Sequence, residues 1–128
     1  MMNRTCVEAT DAPSAAGGYA QAVAHDAPAR WLHISGQIPV QPDGTVPNGF
    51  AAQAAQAWAN VDAQLRAAGM ARTDLQKVTI FLSDRADANE NRIARNDWLA
   101  GHKVALTVII CGIFDASWLI EIEAVAAQ

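Results

Sequence analysis

Between Gly49 and Ala68, the residues Phe50, Ala54, Ala57, Trp58, Val61, Leu65 and Ala68 recur at three- and four-residue spacing. That spacing predicts a helix with a single apolar stripe. Asn48 is placed to cap its start and Gly69 to end it. A stripe of this kind needs a surface to cover it, and the flanking sequence offers strands. Leu75 to Ser83 alternates Val78, Ile80 and Leu82 with Lys77, Thr79 and Phe81, the period of a strand. Trp118 to Ala126 alternates in the same way. Ala20 to Ala24 and Trp31 to Ser35 read as two short strands, with a turn over His25 to Arg30 between them. Gln41-Pro42-Asp43-Gly44 is a second turn. A second helix is expected from Ala86 to Ala100, with Asp84 as cap and Gly101 as stop. Its apolar pattern is weaker and rests on Ile93, Ala94, Trp98 and Leu99. Val104 to Ile110 is apolar at alternate and intervening positions alike, which predicts a strand buried on both faces.

The order is therefore strands, helix, strand, helix, two strands. It predicts an α+β chain: a mixed sheet with both helices layered on one face. The other sheet face then needs a cover, and in so short a chain the candidate is another copy of itself. The 128 residues form a single expected domain, 1–128. Charged residues are 17% of the chain, below the usual quarter. That deficit fits either a surface covered by another subunit or an alanine-rich composition. The net charge of -4 and a pI near 5.1 argue against nucleic acid or an anionic membrane as partner. Cys6 and Cys111 stand in no metal or redox spacing, and read as free thiols in a reducing compartment. The first eighteen residues are irregular and hold no signal-peptide core. The longest near-apolar run, Val104 to Phe114, is far short of the roughly 20 residues that cross a bilayer. A cytoplasmic location is expected.

Three stretches resemble the Rid (YjgF/RidA) family. They are Gly17-Gly18-Tyr19-Ala20-Gln21-Ala22-Val23, Ile34-Ser35-Gly36-Gln37-Ile38-Pro39, and Ile120-Glu121-Ile122-Glu123-Ala124-Val125-Ala126. Ala52-Gln53 and Asn60-Val61 follow the second at family-like distance. Together they span nearly the whole chain. The resemblance implies a chorismate-mutase-like (YjgF-like) fold with a mixed six-stranded sheet and two helices on one face. It also implies a homotrimer with small-molecule clefts between subunits. Active members are hydrolases, deaminases of enamines and imines such as 2-aminoacrylate, and need no metal or organic cofactor. In their pattern an arginine binds the substrate carboxylate, a tyrosine and a serine-bearing strand line the cleft, and a glutamate helps position water.

Carried over by position, the resemblance assigns Tyr19, Ser35 and Glu121 to the catalytic set. The family's proline-alanine-arginine-serine/threonine motif falls on Val104-Ala105-Leu106-Thr107, counted back from Glu121 without a gap. Leu106 therefore takes the arginine's place, with Thr107 beside it. The family's helix asparagine falls at Asn91 or Arg92, and Arg92 joins the expected substrate-binding set. At Gly18 a glycine replaces the family's proline. An arginine fork gives a carboxylate two charge-assisted hydrogen bonds, each worth roughly 1.5–3 kcal/mol. Its loss costs at least about a hundredfold in affinity. Arg92, Arg95, His102 and Lys103 are the cations close enough in sequence to compensate, although each singly reads as solvated surface. Periodicity alone would make Glu121 and Glu123 the wet face of an edge strand, Tyr19 a core aromatic and Ser35 a strand end. The expectations are a deaminase of altered or reduced activity, or a non-catalytic protein that binds a metabolite in the inherited cleft. RNA cleavage fits the acidic composition poorly.

Overall fold

The computed structural model describes residues 3–128. Met1 and Met2, part of the stretch read as lacking a signal-peptide core, lie outside it. The elements are β1 (Arg4–Val7), β2 (Ala22–His25), β3 (Trp31–Gln37), α1 (Phe50–Ala67), β4 (Leu75–Leu82), α2 (Ala88–Leu99), β5 (Ala105–Ile110) and β6 (Ile120–Ala127). The six strands divide into two sheets. Four form a mixed sheet in the order β3-β6-β4-β5, and β1 and β2 pair as an antiparallel ribbon. A parallel bridge from Ala20 to Ala105 ties that ribbon to the edge of the larger sheet. β1 is the strand that the irregular start concealed. It is four residues long, too short to show a period.

The core lies between the large sheet and the helices. From α1 it takes Phe50, Ala54, Ala57, Trp58, Val61 and Leu65, the stripe read from the sequence. From the sheet it takes Val78, Ile80 and Leu82 of β4 and Ile120, Ile122, Ala124 and Ala126 of β6. Trp58 stacks on Trp98 of α2 with 4.5 Å between ring centroids. Burying the apolar area of such side chains at about 25 cal/mol per Å² is what holds the layers together.

Several local details differ from expectation. Gly49, with φ 88°, precedes α1 in the cap position, so Asn48 lies one residue too early. Asp84 does cap, accepting from the Ala86 N–H at 2.9 Å, but the turn it starts is a short 3-10 segment ahead of α2. Ala100, in the left-handed region at φ 50°, ends α2 in front of Gly101.

β5 departs most. It is an edge strand, and Val108, Ile109 and Ile110 are 38–43% exposed. β6, read from alternation as an edge, lies inside the sheet between β3 and β4. Residue pattern reports apolarity, and apolarity on both faces marks burial only if something in the same chain supplies the cover. Here nothing among the described residues covers the far end of β5.

Candidate functional site

Alternation along paired strands sorts the candidate residues onto two faces. On β6, Ile120 and Ile122 enter the core, so Glu121 faces the open side of the sheet. On β5, Leu106 pairs with the core residue Val78 and packs against the core cluster, so it faces the helices. Thr107, its neighbour, faces the open side and accepts a hydrogen bond from Lys77 Nζ at 2.6 Å. Leu106 and Thr107 thus look in opposite directions. β4 separates β5 from β6, which puts about 10 Å between those two strands. Within one chain, Leu106 and Glu121 do not meet.

Two separate groups result. The first joins Glu121 to β3. The β3–β6 register slips between Ile34 and Gln37, and Ser35 lies exposed in this bulge. A Cβ built on Gly36 would land on the Glu121 carboxylate. The glycine is therefore what allows the acid to lie against β3. Asn60 fixes the chain that follows, donating from Nδ2 to the carbonyls of Ile38 (2.9 Å) and Val40 (3.0 Å). Gln53, 4% exposed, fixes the other side. Its Nε2 donates to the carbonyls of Pro47 and Ser117, and its Oε1 accepts from the Leu119 N–H at 2.7 Å. The segment entering β6 is thereby pinned two residues before Glu121.

The second group surrounds Tyr19, beside the start of β5. The Ala20 N–H donates to the Val104 carbonyl at 2.9 Å, and Ala20 bridges to Ala105. The Tyr19 hydroxyl accepts from the Ala16 N–H at 3.3 Å. A hollow of about 380 Å³ opens here, lined by Glu8, Gly18, Tyr19 and Lys103 among others. Arg95 of α2 carries its guanidinium carbon 6.0 Å from the centre of the Tyr19 ring. Asn96 reaches the same place. A Cβ on Gly18 would come within 2.5 Å of Asn96 Oδ1, and Gly18 sits at φ +40°. A proline, whose φ is locked near -65°, could not adopt that angle.

The face of α2 turned to the core carries Asn91, Arg95 and Leu99. Asn91 is 2% and Arg95 6% exposed. Arg92 lies on the exposed side, donating to Asn89 Oδ1 at 3.3 Å, away from Tyr19. Of the four cations considered, Lys103 is exposed and lines the hollow. His102 is engaged in the frame, with Nε2 on the Leu75 carbonyl at 2.9 Å. Burial pushes its pKa below the ordinary 6.5, and the Arg4 charge adds to that. Only Arg95 is both buried and next to Tyr19. Burial lowers its pKa as well, the nearby Arg92 charge adds to this, and Tyr19 opposes it.

The sequence pattern gave Gly36 and Gln53 no role of their own and left Arg95 as one of four cations read singly as solvated surface. Gly36 carries no signal without its partner strand. Arg95 did carry one: Asn91, Arg95 and Leu99 recur at i, i+4 and i+8, and no acid stands three or four residues from Arg95. No cluster of three His, Cys, Asp or Glu able to hold a metal occurs among the described residues. No helix among them is long and apolar enough to cross a membrane.

The family model described as endoribonuclease L-PSP matches residues 9–128. A human 2-iminobutanoate/2-iminopropanoate deaminase is 36% identical over 128 residues, covering 98% of this chain and 90% of the relative. The rat protein of the same description is 34% identical over 127 residues, with the same coverage. Among solved structures, a Yersinia pestis protein of the conserved Rid family superposes with a TM-score of 0.84 at 28% identity, covering 99% of this chain and 100% of that one. The Escherichia coli YjgF gene product gives 0.73 at 33% identity, covering 97% and 98%. With most of its length matched at both sequence and structure level, the chain belongs to the YjgF/Rid family.

Proposed function

We propose that this chain forms a homotrimer with a small-molecule cleft at each subunit boundary, and that the cleft acts on enamines or imines as a hydrolytic deaminase of altered or reduced activity. One observation carries the reading: Leu106 lies on the helix-facing side of the edge strand with Tyr19 beside the start of that strand, and Glu121 lies on the open face two strands away, against Gly36. A second copy that offers its Glu121 face to the Leu106 edge of the first completes a site neither copy holds alone. The apolar edge supports that assembly. Val108, Ile109 and Ile110 are exposed there, and Phe114 is 97% exposed, which is costly for a lone chain. The relatives described as 2-iminobutanoate/2-iminopropanoate deaminases, similar along the whole chain, suggest the reaction class.

In this reading Glu121 accepts a hydrogen bond from the attacking water. Water adds to the C=N carbon, and collapse of the carbinolamine expels ammonia and leaves a 2-oxo acid. Leu106 supplies an apolar wall where an arginine fork would hold the substrate carboxylate, so small imino acids bind weakly. The net charge of -4 favours this reading over RNA cleavage.

The second reading, a binding protein that no longer turns over substrate, is favoured by the same Leu106. A coupled assay separates the two. 2-Iminopropanoate and 2-iminobutanoate are generated enzymatically, and their decay is followed with the wild type and with Leu106→Arg. Faster decay with the wild type, increased in the variant, supports the deaminase. Acceleration by the variant alone makes the natural chain the binding protein. If neither accelerates decay, the deaminase reading is wrong.

A further inference from the structure

Arg95 is a charge buried without an anion. It is 6% exposed, and the single ion pair among the described residues is Arg66 with Asp62. Its one hydrogen bond is a long one, Nε to Asn96 Oδ1 at 3.4 Å. A guanidinium carries five N–H donors, so most of its donating capacity is unspent. One helical turn earlier, Asn91 is 2% exposed and its Oδ1 has no partner at all. Native interiors rarely leave such an oxygen unsatisfied, and it has a cost. Largely withdrawing a cation from water without an anion beside it adds to that cost.

The neighbourhood is specific. Arg95 and Asn91 lie on the face of α2 that looks at the sheet, and Leu106 lies on the face of the sheet that looks at α2. The Tyr19 ring stands 6.0 Å from the guanidinium carbon and also lines the 380 Å³ hollow beside β5. Gly18 has the one side chain, a hydrogen, that lets Asn96 close against it while Arg95 lies over Tyr19. Gly18, one departure from the family pattern, therefore meets Asn96, the residue whose Oδ1 accepts from Arg95.

We propose that Arg95 is the anion-binding group of this site. It takes the carboxylate of a small ligand from α2, beside Tyr19 and the hollow that Tyr19 lines, on the side of the sheet to which Leu106 also turns. Asn91 offers its amide to the same ligand, and Tyr19 closes the site over it. The ligand class is a small carboxylate with an apolar substituent, such as a branched or longer-chain 2-oxo or 2-imino acid. This rests on the cleft reading for the ligand's identity, yet Arg95, Asn91, Tyr19 and Leu106 all come from one copy of the chain.

The test titrates the full chain with pyruvate and with 2-oxoisovalerate, following the arginine Nε–Hε signals by NMR. The Arg95 signal is expected to shift saturably, with 2-oxoisovalerate bound more tightly. Arg95→Gln is expected to weaken binding at least about tenfold, and Arg95→Lys to recover part of it. Arg85→Gln, on the exposed surface, is expected to leave it unchanged. Thermal unfolding without ligand supplies the second readout. Removing an unpaired buried charge with Arg95→Met is expected to raise the Tm by a few degrees, where loss of a structural arginine would lower it. Absence of saturable binding overturns the proposal, as does affinity indifferent to Arg95→Gln, or a lowered Tm in Arg95→Met. Light scattering on the same samples keeps the two readings apart. A monomer that still binds through Arg95 removes the intersubunit cleft and leaves this site standing.

Discussion

The two helices are built on the same period and do different things with it. α1 turns Phe50, Ala54, Ala57, Trp58, Val61 and Leu65 inward; its buried Gln53 meets three backbone partners, and the Trp58 indole N–H is its one buried side-chain polar atom without a partner. α2 turns Asn91, Arg95 and Leu99 inward, and two of those three are polar and poorly partnered. Its most apolar residue, Ile93, is 61% exposed. α1 is held by what it buries. α2 buries polar groups that the chain itself leaves under-partnered, which is what the proposed site requires of it.

Substitutions can break this contrast. The largest effect belongs to α1. Trp58→Ala removes a ring that is 1% exposed and stacked on Trp98. It is expected to cost about 3–5 kcal/mol in denaturant unfolding, enough to leave much of the chain unfolded. Gln53→Ala comes next, at about 1–3 kcal/mol, because the Leu119 N–H loses its acceptor. The matching change on α2, Asn91→Leu, is expected to be neutral or stabilising, since the amide oxygen it removes has no partner. A clear loss of stability in Asn91→Leu would erase the distinction between the helices.

Smaller effects sharpen the frame around the site. His102, just past α2, titrates below its ordinary 6.5 when folded, chiefly because it is buried. The unfolded chain therefore takes up the proton first. Its contribution is intact above about pH 6.5 and is lost as pH falls through the folded value. Chemical denaturation from pH 7.5 to 5 is expected to show that decline, and His102→Gln to flatten it. Gly36→Ala is expected to change stability by less than about 0.5 kcal/mol, because the atom in its way is the far end of the flexible Glu121 side chain. The displaced carboxylate is expected to abolish whatever imine turnover the wild type shows. A variant as active as the wild type would remove Glu121 from the chemistry.

Much of the fold was legible because the elements that matter most are long and periodic. α1, β4 and β6 each repeat their pattern several times within a buried layer. β5 was misjudged because its far end, Val108 to Ile110, lies on a sheet edge that nothing among the described residues covers. β1 was missed because four residues hold no period. Tyr19, Ser35, Leu106 and Glu121 were assigned to the proposed site through resemblance. The separation of Leu106 from Glu121 by an intervening strand depends on strand order 3-6-4-5, which sequence alternation does not encode. Arg95 was among four candidate cations, and burial was what set it apart from Arg92 and Lys103.

The most direct test is an exchange of positions, measured as affinity for pyruvate. Arg95→Leu is expected to lose binding at least about tenfold. Adding Leu106→Arg to that variant is expected to restore it, because the guanidinium returns to the same space from the strand side. A double variant that folds, yet binds no better than Arg95→Leu alone, would show that the two positions do not serve one anion and would contradict the account.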